Sequence, residues 1–197
     1  MIVKSASFVK SFQNADMLEG YAPQICVAGR SNCGKSSLLN MLMGAKLCKT
    51  SQTPGRTRLI NVFSVIAEKT FYFVDLPGYG FHAAQKSIGD EFGARTEKYF
   101  HVCNDIAQVL CLMDIRRDPS ELDKTLINFL RELGLPFTVV LTKSDKLSKS
   151  KAAAARLSIA AALGLARDNL IVTSSHNGGG KQQLLDRIES VLETCGL

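Results

Sequence analysis

Short runs rich in apolar, β-branched and aromatic residues alternate along the chain with stretches in which apolar residues recur at helical spacing. The runs predict six strands, at Ile25–Ala28, Leu59–Ala67, Thr70–Val74, Ala107–Met113, Phe137–Leu141 and Leu170–Thr173. The stretches predict about five helices, at Lys35–Met43, Ala84–Tyr99, Ser120–Leu133, Ser148–Leu163 and Lys181–Leu192. Such alternation is typical of a mostly parallel sheet with helices on both faces. We therefore predict an α/β domain with three layers.

The second and third predicted strands are separated only by Glu68 and Lys69. A link of two residues is too short for a crossover helix and requires an antiparallel hairpin. The sheet is therefore predicted to be mixed, with one antiparallel strand. The last predicted helix has the clearest pattern, since one of its faces carries Leu184, Leu185, Ile188, Val191 and Leu192.

Composition indicates an ordinary globular chain. Its 197 residues suit one domain, and 46% hydrophobic against 21% charged residues argues against disorder. Apolar runs such as Phe137–Leu141 are too short to span a bilayer, and the first residues lack the apolar core of a signal peptide, so we expect a cytoplasmic protein. The six cysteines form no C-x-x-C pair, which argues against a zinc site or a disulfide framework. Cys26 and Cys111 lie within predicted strands and are expected in the core.

The net charge of +6 allows two interpretations. A basic surface can serve only solubility, or it can attract a polyanion such as RNA. The basic residues look scattered along the chain, so charge alone does not decide between them.

The first motif fits G-x-x-x-x-G-K-[ST] and consists of Gly29, Arg30, Ser31, Asn32, Cys33, Gly34, Lys35 and Ser36. It follows a predicted strand and opens a predicted helix, the setting in which such a loop wraps phosphate oxygens with its backbone N–H groups. An ordinary glycine-rich turn is the alternative, and the flanking elements argue against it. Lys35 is predicted to reach the β- and γ-phosphates and Ser36 to coordinate Mg²⁺.

The second motif, Asp75, Leu76, Pro77 and Gly78, ends the third predicted strand. Its carboxylate can hold magnesium through water, and the N–H of Gly78 can meet the γ-phosphate. Alone, D-x-x-G is a weak signal that often marks a plain turn. Its position after a strand and downstream of a phosphate loop favours the functional interpretation.

The third motif, Thr142, Lys143, Ser144 and Asp145, follows the fifth predicted strand. A carboxylate can accept hydrogen bonds from N1–H and the 2-amino group of guanine, a pair that adenine does not offer. Isolated, the motif would be a strand-end turn with a capping aspartate, but after the first two motifs it predicts guanine recognition. Thr173, Ser174 and Ser175, after the last strand, are predicted to contact the base.

The segment between the first two motifs is predicted to contain a threonine that binds Mg²⁺ only when the γ-phosphate is present. Thr53 and Thr57 are the candidates, and Thr57 is favoured because it lies directly before a strand. The predicted metal ligands are therefore Ser36 and Thr57, and the predicted catalytic residues are Lys35, Thr57 and Gly78. The neighbours of Thr57 that we include in the nucleotide site are Gly55, Arg56, Arg58 and Leu59.

Together the segments GRSNCGKSSLLN, TPGRT, DLPGYG and TKSD resemble the YihA/EngB/YsxC family of TrmE-Era-type GTPases. The leader at Ala6–Ser11 and the D-x-R stretch at Leu112–Asp123 are similar too, so the resemblance covers roughly residues 5–192. It implies a P-loop G domain over residues 23–197 with an N-terminal segment, 1–22, packed on it. It also implies slow GTP hydrolysis and assistance to assembly of the large ribosomal subunit through ribosomal RNA, with support of normal cell division and septation. We expect a monomer with no membrane or DNA partner.

Two residues suggest how the expected hydrolysis departs from that of Ras-like enzymes. Tyr79 replaces the glutamine that follows D-x-x-G in those enzymes, so no side chain there can orient water in the usual way. Asn32 matches the asparagine that coordinates K⁺ in related GTPases, although it could simply satisfy loop backbone groups. Cys33 could be an acidified thiol near a helix N-terminus, or a residue whose backbone alone matters.

Two other functions are considered. A small-molecule P-loop kinase would leave the TKSD motif unexplained. An Era-type GTPase acting on another RNA or on membrane cargo would usually carry an additional domain, whereas five residues follow Leu192.

Overall fold

The computed structural model describes residues 1–13, 20, 23–48, 59–79 and 94–194, with side chains in the last range from Thr96 onward. The strands are β1 (Ser5–Phe12), β2 (Gln24–Gly29), β3 (Ile60–Ile66), β4 (Thr70–Asp75), β5 (Ile106–Asp114), β6 (Phe137–Thr142) and β7 (Leu170–Val172). The helices are α1 (Lys35–Met43), α2 (Ala94–Val102), α3 (Glu121–Glu132), α4 (Lys149–Ala162) and α5 (Lys181–Thr194). The first ten residues of the predicted helix at Ala84–Tyr99 lie outside the described residues.

The strands form one sheet in the order β1-β3-β4-β2-β5-β6-β7. Strand β3 runs antiparallel to both of its neighbours, and the other adjacent pairs are parallel. The short link between β3 and β4 forms the predicted hairpin, in which the N–H of Ala67 donates to the carbonyl of Lys69 at 3.1 Å. The prediction of a mixed sheet with one reversed strand is confirmed.

The predicted number of six strands is wrong, because residues 5–12 form a seventh. Strand β1 pairs with β3 from Ser5 opposite Ile66 to Phe12 opposite Ile60, and the register shifts between Phe8 and Lys10. An irregularity of this kind interrupts the two-residue alternation of apolar and polar side chains. Only Phe12 of this strand is fully buried, so its sequence carries little strand signal.

Two apolar cores lie on the two faces of the sheet. One contains Leu38 of α1 and Leu184 of α5. The other contains Tyr99 of α2, Leu126 of α3 and Ile159 of α4. The predicted arrangement of three layers is therefore confirmed.

The parallel strands bring their carboxyl ends to one edge of the sheet. Strands β2, β4, β5 and β6 end at Gly29, Asp75, Asp114 and Thr142, and β7 is followed by Thr173. In sheets of this type ligands bind outside the carboxyl ends of the strands. The sequence motifs therefore converge although they are far apart in the chain.

In the described part of the chain, no helix has both the length and the apolar content that crossing a membrane requires. The five described cysteines are free thiols, and Cys26 and Cys111 are buried in the core as predicted.

Candidate functional site

A tightly turned loop joins β2 to α1. Gly34 has φ 107° and Asn32 has φ 63°, a backbone region that favours glycine and that asparagine tolerates better than most residues. A Cβ atom on Gly29 would lie 2.7 Å from Sγ of Cys33 and 2.8 Å from the carbonyl oxygen of Leu112. The loop therefore has the close backbone approach and the following helix N-terminus that bind phosphate.

The ammonium group of Lys35 lies between the first two motifs. It donates to the carbonyl oxygens of Gly29 at 3.0 Å and of Arg30 at 3.4 Å. A Cβ atom on Gly78 would lie only 2.8 Å from this ammonium nitrogen and 3.1 Å from the N–H nitrogen of Ser31. The structure thus brings Lys35 and Gly78 together as the sequence predicts, and a side chain at position 78 would displace the Lys35 ammonium group.

Asp75 is buried with an unsatisfied oxygen. Only 3% of Asp75 is exposed, and its Oδ1 has no hydrogen-bond partner among the described residues. Burial raises the pKa of Asp75 to about 6, while the charge of Lys35 and a hydrogen bond to Asn61 oppose that shift. A buried carboxylate oxygen of this kind suits a hard cation such as Mg²⁺. Ser36 offers a hydroxyl from the first turn of α1, directly after the phosphate loop. Asp75 and Ser36 therefore fit the expected magnesium site.

The carboxylate of Asp145 is held in place by Ser174. The Ser174 hydroxyl donates to Asp145 Oδ1 at 2.7 Å and accepts backbone N–H groups of His176 and Asn177 at 3.2 and 3.4 Å. This hydrogen bond, with smaller help from Lys146, lowers the pKa of Asp145. The third motif, residues 142–145, is called the base motif from here on. It presents an ionised, oriented carboxylate, which is the acceptor that guanine requires.

Hydrogen bonds join the base motif directly to the phosphate loop. The hydroxyl of Thr142 lies 2.6 Å from the carbonyl oxygen of Cys33 and 3.1 Å from that of Met113. The ammonium group of Lys143 donates to the carbonyl oxygen of Asn32 at 2.7 Å. The two motifs therefore form one site, in which the third motif fixes the shape of the first.

Asp114 belongs to this site although the sequence analysis assigned it no role. Its carboxylate lies 3.0 Å from Nζ of Lys143 and accepts two hydrogen bonds from the guanidinium of Arg116, at 2.6 and 2.9 Å. Burial opposes ionisation, but the bonds from Arg116 and Lys143 outweigh it and hold the pKa of Asp114 well below its usual range. The sequence did contain a signal for this role, because Asp114, like Asp75, is an acidic residue at the carboxyl end of a predicted parallel strand.

Tyr79 connects the second motif to α3. The side chain is 5% exposed, and its hydroxyl donates to Oδ1 of Asp123 at 2.8 Å. The other carboxylate oxygen of Asp123 accepts the N–H and the hydroxyl of Ser120, which caps α3. The residue that replaces the usual glutamine is therefore an anchor, directed at a helix cap.

Other predicted site residues have structural positions that need no ligand to explain them. The N–H of Leu76 donates to the carbonyl of Val27, and that of Thr173 to the carbonyl of Leu141. The N–H of Ser144 donates to the carbonyl of Thr173 at 3.1 Å. These bonds join neighbouring strand ends and hold the second motif and the base loops against the sheet.

The structure gives the burial or the position of three more predicted site residues. Pro77 is half-buried and Ser175 is exposed, and Leu59 lies immediately before β3. The switch residues Thr53, Gly55, Arg56, Thr57 and Arg58 lie outside the described residues. Burial raises the pKa of Cys33 despite the opposing charge of Lys35, which argues against an acidified thiol.

Replacing Asp75 by Asn should alter how stability depends on pH. Because the raised folded-state pKa of about 6 means that the folded protein takes up this proton first, the parent gains stability as pH falls through that value. At about 1.4 kcal/mol per pKa unit, the free energy of unfolding of the parent should rise by about 2 kcal/mol relative to that of Asp75→Asn as the pH falls from 7.5 to 4.5. Urea unfolding of the ligand-free proteins measures this difference. Asp118→Asn, which removes an exposed carboxylate, is the control, and parallel pH profiles of parent and Asp75→Asn would contradict the expectation.

Comparison with known proteins agrees with this geometry. The sequence model of a family described as "50S ribosome-binding GTPase" matches residues 24–143. The probable GTP-binding protein EngB of Caldanaerobacter subterraneus subsp. tengcongensis is 39% identical over 195 residues, which is 98% of this chain and 100% of that protein. The protein of the same description from Geobacter sp. (strain M21) is 40% identical over 195 residues, which is 98% of this chain and 90% of that one.

Solved structures of GTP-binding proteins superpose on this chain. A crystal structure of a probable GTP-binding protein engB superposes with a TM-score of 0.66 at 26% identity, covering 87% of this chain and 99% of that one. Era of Aquifex aeolicus bound to GDP.AlF4- superposes with a TM-score of 0.66 at 25% identity, covering 84% of this chain and 55% of Era. The phosphate loop is bonded to Thr142 and Lys143 of the third motif, and the relatives match over nearly their full length. The chain therefore belongs to the EngB family of GTP-binding proteins.

Proposed function

We propose that the protein binds Mg–GTP, hydrolyses it slowly as a cytoplasmic, monomeric switch, and in the GTP state assists assembly of the large ribosomal subunit, which supports normal cell division and septation. The observation that carries the GTPase part is the pair of hydrogen bonds from Thr142 and Lys143 to the phosphate-loop carbonyls. They place the base carboxylate and the phosphate cradle in one rigid frame. A small-molecule kinase has no use for a guanine-specific carboxylate, so this frame disfavours that alternative.

Each part of the frame has a defined task in the proposed reaction. Lys35 and the N–H groups of the loop after Gly29 hold the phosphates, and Gly78 offers its N–H to the γ-phosphate. Ser36, Asp75 and Thr57 are the residues proposed to hold Mg²⁺, which when bound neutralises charge on the transferring phosphate. Because Tyr79 is committed to Asp123, no side chain at that position orients water, and this supports a low intrinsic rate.

Replacing Asp145 by Asn tests base recognition. The amide should weaken GTP binding and favour xanthosine triphosphate. Xanthine has a carbonyl oxygen in place of the 2-amino group of guanine, and the asparagine amide can donate a hydrogen bond to that oxygen. The loss for GTP should be at least about tenfold, since a buried polar group is left unpaired. Competition binding with the two triphosphates measures the change. Lys146→Ala is the control, because it removes only the exposed ion pair to Asp145, and unchanged GTP affinity in Asp145→Asn would refute the assignment.

We further propose that Asn32 coordinates K⁺ and that the ion stabilises developing negative charge in the transition state. Asn32 supports this by position: it is exposed, has φ 63°, and uses its carbonyl oxygen to accept Lys143. Hydrolysis should be several-fold faster in K⁺ than in Na⁺ at equal ionic strength, and Asn32→Ala should abolish that difference. Equal rates of the parent in the two salts would leave Asn32 as a loop residue only.

The ribosomal partner is supported by the description of the matching family as a ribosome-binding GTPase. A related structure, that of Era in complex with MgGDPNP and nucleotides 1506–1542 of 16S ribosomal RNA, shares the fold with a TM-score of 0.68. An Era-type role on another RNA or on membrane cargo is the alternative. The description of the matching family names the 50S ribosome, which favours the large subunit.

Co-sedimentation with purified ribosomal subunits tests this partner. Binding should be stronger to the large subunit than to the small one, and stronger with a non-hydrolysable GTP analogue than with GDP, because the γ-phosphate acts on the second motif at Gly78. Attraction of a +6 protein to any polyanion predicts equal binding in all four mixtures. That result would remove the ribosomal proposal and leave GTP binding intact.

A further inference from the structure

A groove of about 910 Å³ lies between α4 and the loop that follows β7. It borders the base motif at Ser144 and Asp145 but contains neither Lys143 nor any phosphate-loop residue. Its apolar lining includes Leu147, Ala153 and Leu157, and its basic lining includes Lys149, Arg156, Arg167 and His176. Leu157 is 48% exposed, so the groove presents apolar and cationic groups side by side.

Most of the net charge of the protein comes from the segment that forms this groove. Residues 146–167 contain no Asp or Glu and five basic residues: Lys146, Lys149, Lys151, Arg156 and Arg167. Removing these five from the total of 24 leaves 19 Lys and Arg against 18 Asp and Glu in the rest of the chain. The charge of +6 is therefore a local property of α4 and its flanks.

The local structure adds to this charge. The first turn of α4 contains Lys149 and Lys151 and no acidic residue, although the positive end of a helix dipole favours carboxylates. Arg156 donates to the carbonyl oxygen of Arg167 at 2.8 Å, which holds the two arginines together. Its Nε is buried and, among the described residues, has no hydrogen-bond partner.

The acidic groups nearby do not neutralise the groove. Among the described residues, Asp145 is the only carboxylate in the lining of the groove. That group is already bonded to Ser174 and lies 3.3 Å from Lys146. Asp168 is exposed beside Arg167, and its backbone carbonyl accepts a further arginine, Arg187. An anionic partner would therefore meet uncompensated positive charge along α4.

We propose that this groove binds single-stranded RNA, with phosphates against Lys149, Arg156 and Arg167 and with ribose or base surface against Leu157. RNA offers repeated phosphates together with apolar base faces, which matches a groove that is both cationic and apolar. The delocalised charge of an arginine guanidinium also suits phosphate. The proposal rests on the proposed ribosomal role. Since the groove lies apart from the phosphate loop, its affinity for RNA should be the same with GDP and with a GTP analogue.

The test measures binding of a fluorescent 20-nucleotide uridine RNA to the full chain between 50 and 300 mM salt. The double variant Lys149→Ala/Arg167→Ala is compared with Lys10→Ala/Lys69→Ala, which removes the same charge from the other end of the sheet. Each single-strand phosphate contact contributes ~0.7 to the salt slope, so the first variant should lose ~1.4 in slope and about 25-fold in affinity at 0.1 M salt. Alanine is a good helix former, so α4 should be preserved, which circular dichroism checks.

The other outcomes overturn the proposal. Equal losses in the two double variants would indicate attraction by net charge alone. A poly-glutamate peptide that displaces the RNA at lower concentration than unlabelled RNA would identify an acidic protein partner instead. GTP hydrolysis should be unchanged in Lys149→Ala/Arg167→Ala. If ribosomal co-sedimentation persists while oligonucleotide binding is insensitive to these two substitutions, this inference fails and the proposed function stands.

Discussion

Two side chains on one strand end determine the shape of the whole site. Thr142 and Lys143 bond the carbonyl oxygens of Cys33 and Asn32, residues 109 and 111 positions away in the chain. Lys143 itself has φ 62°, an unfavourable backbone conformation for a side chain of this kind. That conformation is maintained because the lysine is held by Asp114 and by the loop it supports. The position of β6 beside β5 thus contributes directly to holding the phosphate cradle.

Local sequence signals predicted the helices and most strands well. Helix α3 begins after Ser120 and α4 after Ser148, and both serines accept N–H groups of the first turn, which is why their predicted boundaries differ from the observed ones by one residue. The motifs were found for a related reason. Backbone wrapping around phosphate demands glycine at fixed spacing, so Gly29 and Gly34 are visible before any folding is known.

What the sequence did not reveal depends on contacts between distant segments. Strand β1 escaped prediction because its pairing shifts register at Phe8 and buries little. The parts played by Asp114 and Asp123 are defined by partners on other elements, Lys143 and Tyr79, which no local pattern encodes. The concentration of basic residues in segment 146–167 was not recognised for another reason. The net charge of the whole chain includes acidic residues elsewhere, and these conceal the local excess.

The buried carboxylate of Asp75 has a consequence for how long the protein persists. Its oxygen without a described partner is tolerated at the expense of folding free energy until a cation satisfies it. A ligand that binds only the folded state stabilises it in proportion to the logarithm of its concentration. In the proposed function the empty form would therefore be the first to open and reach cellular proteases. The supply of guanine nucleotide would then help to set how many copies of the protein survive.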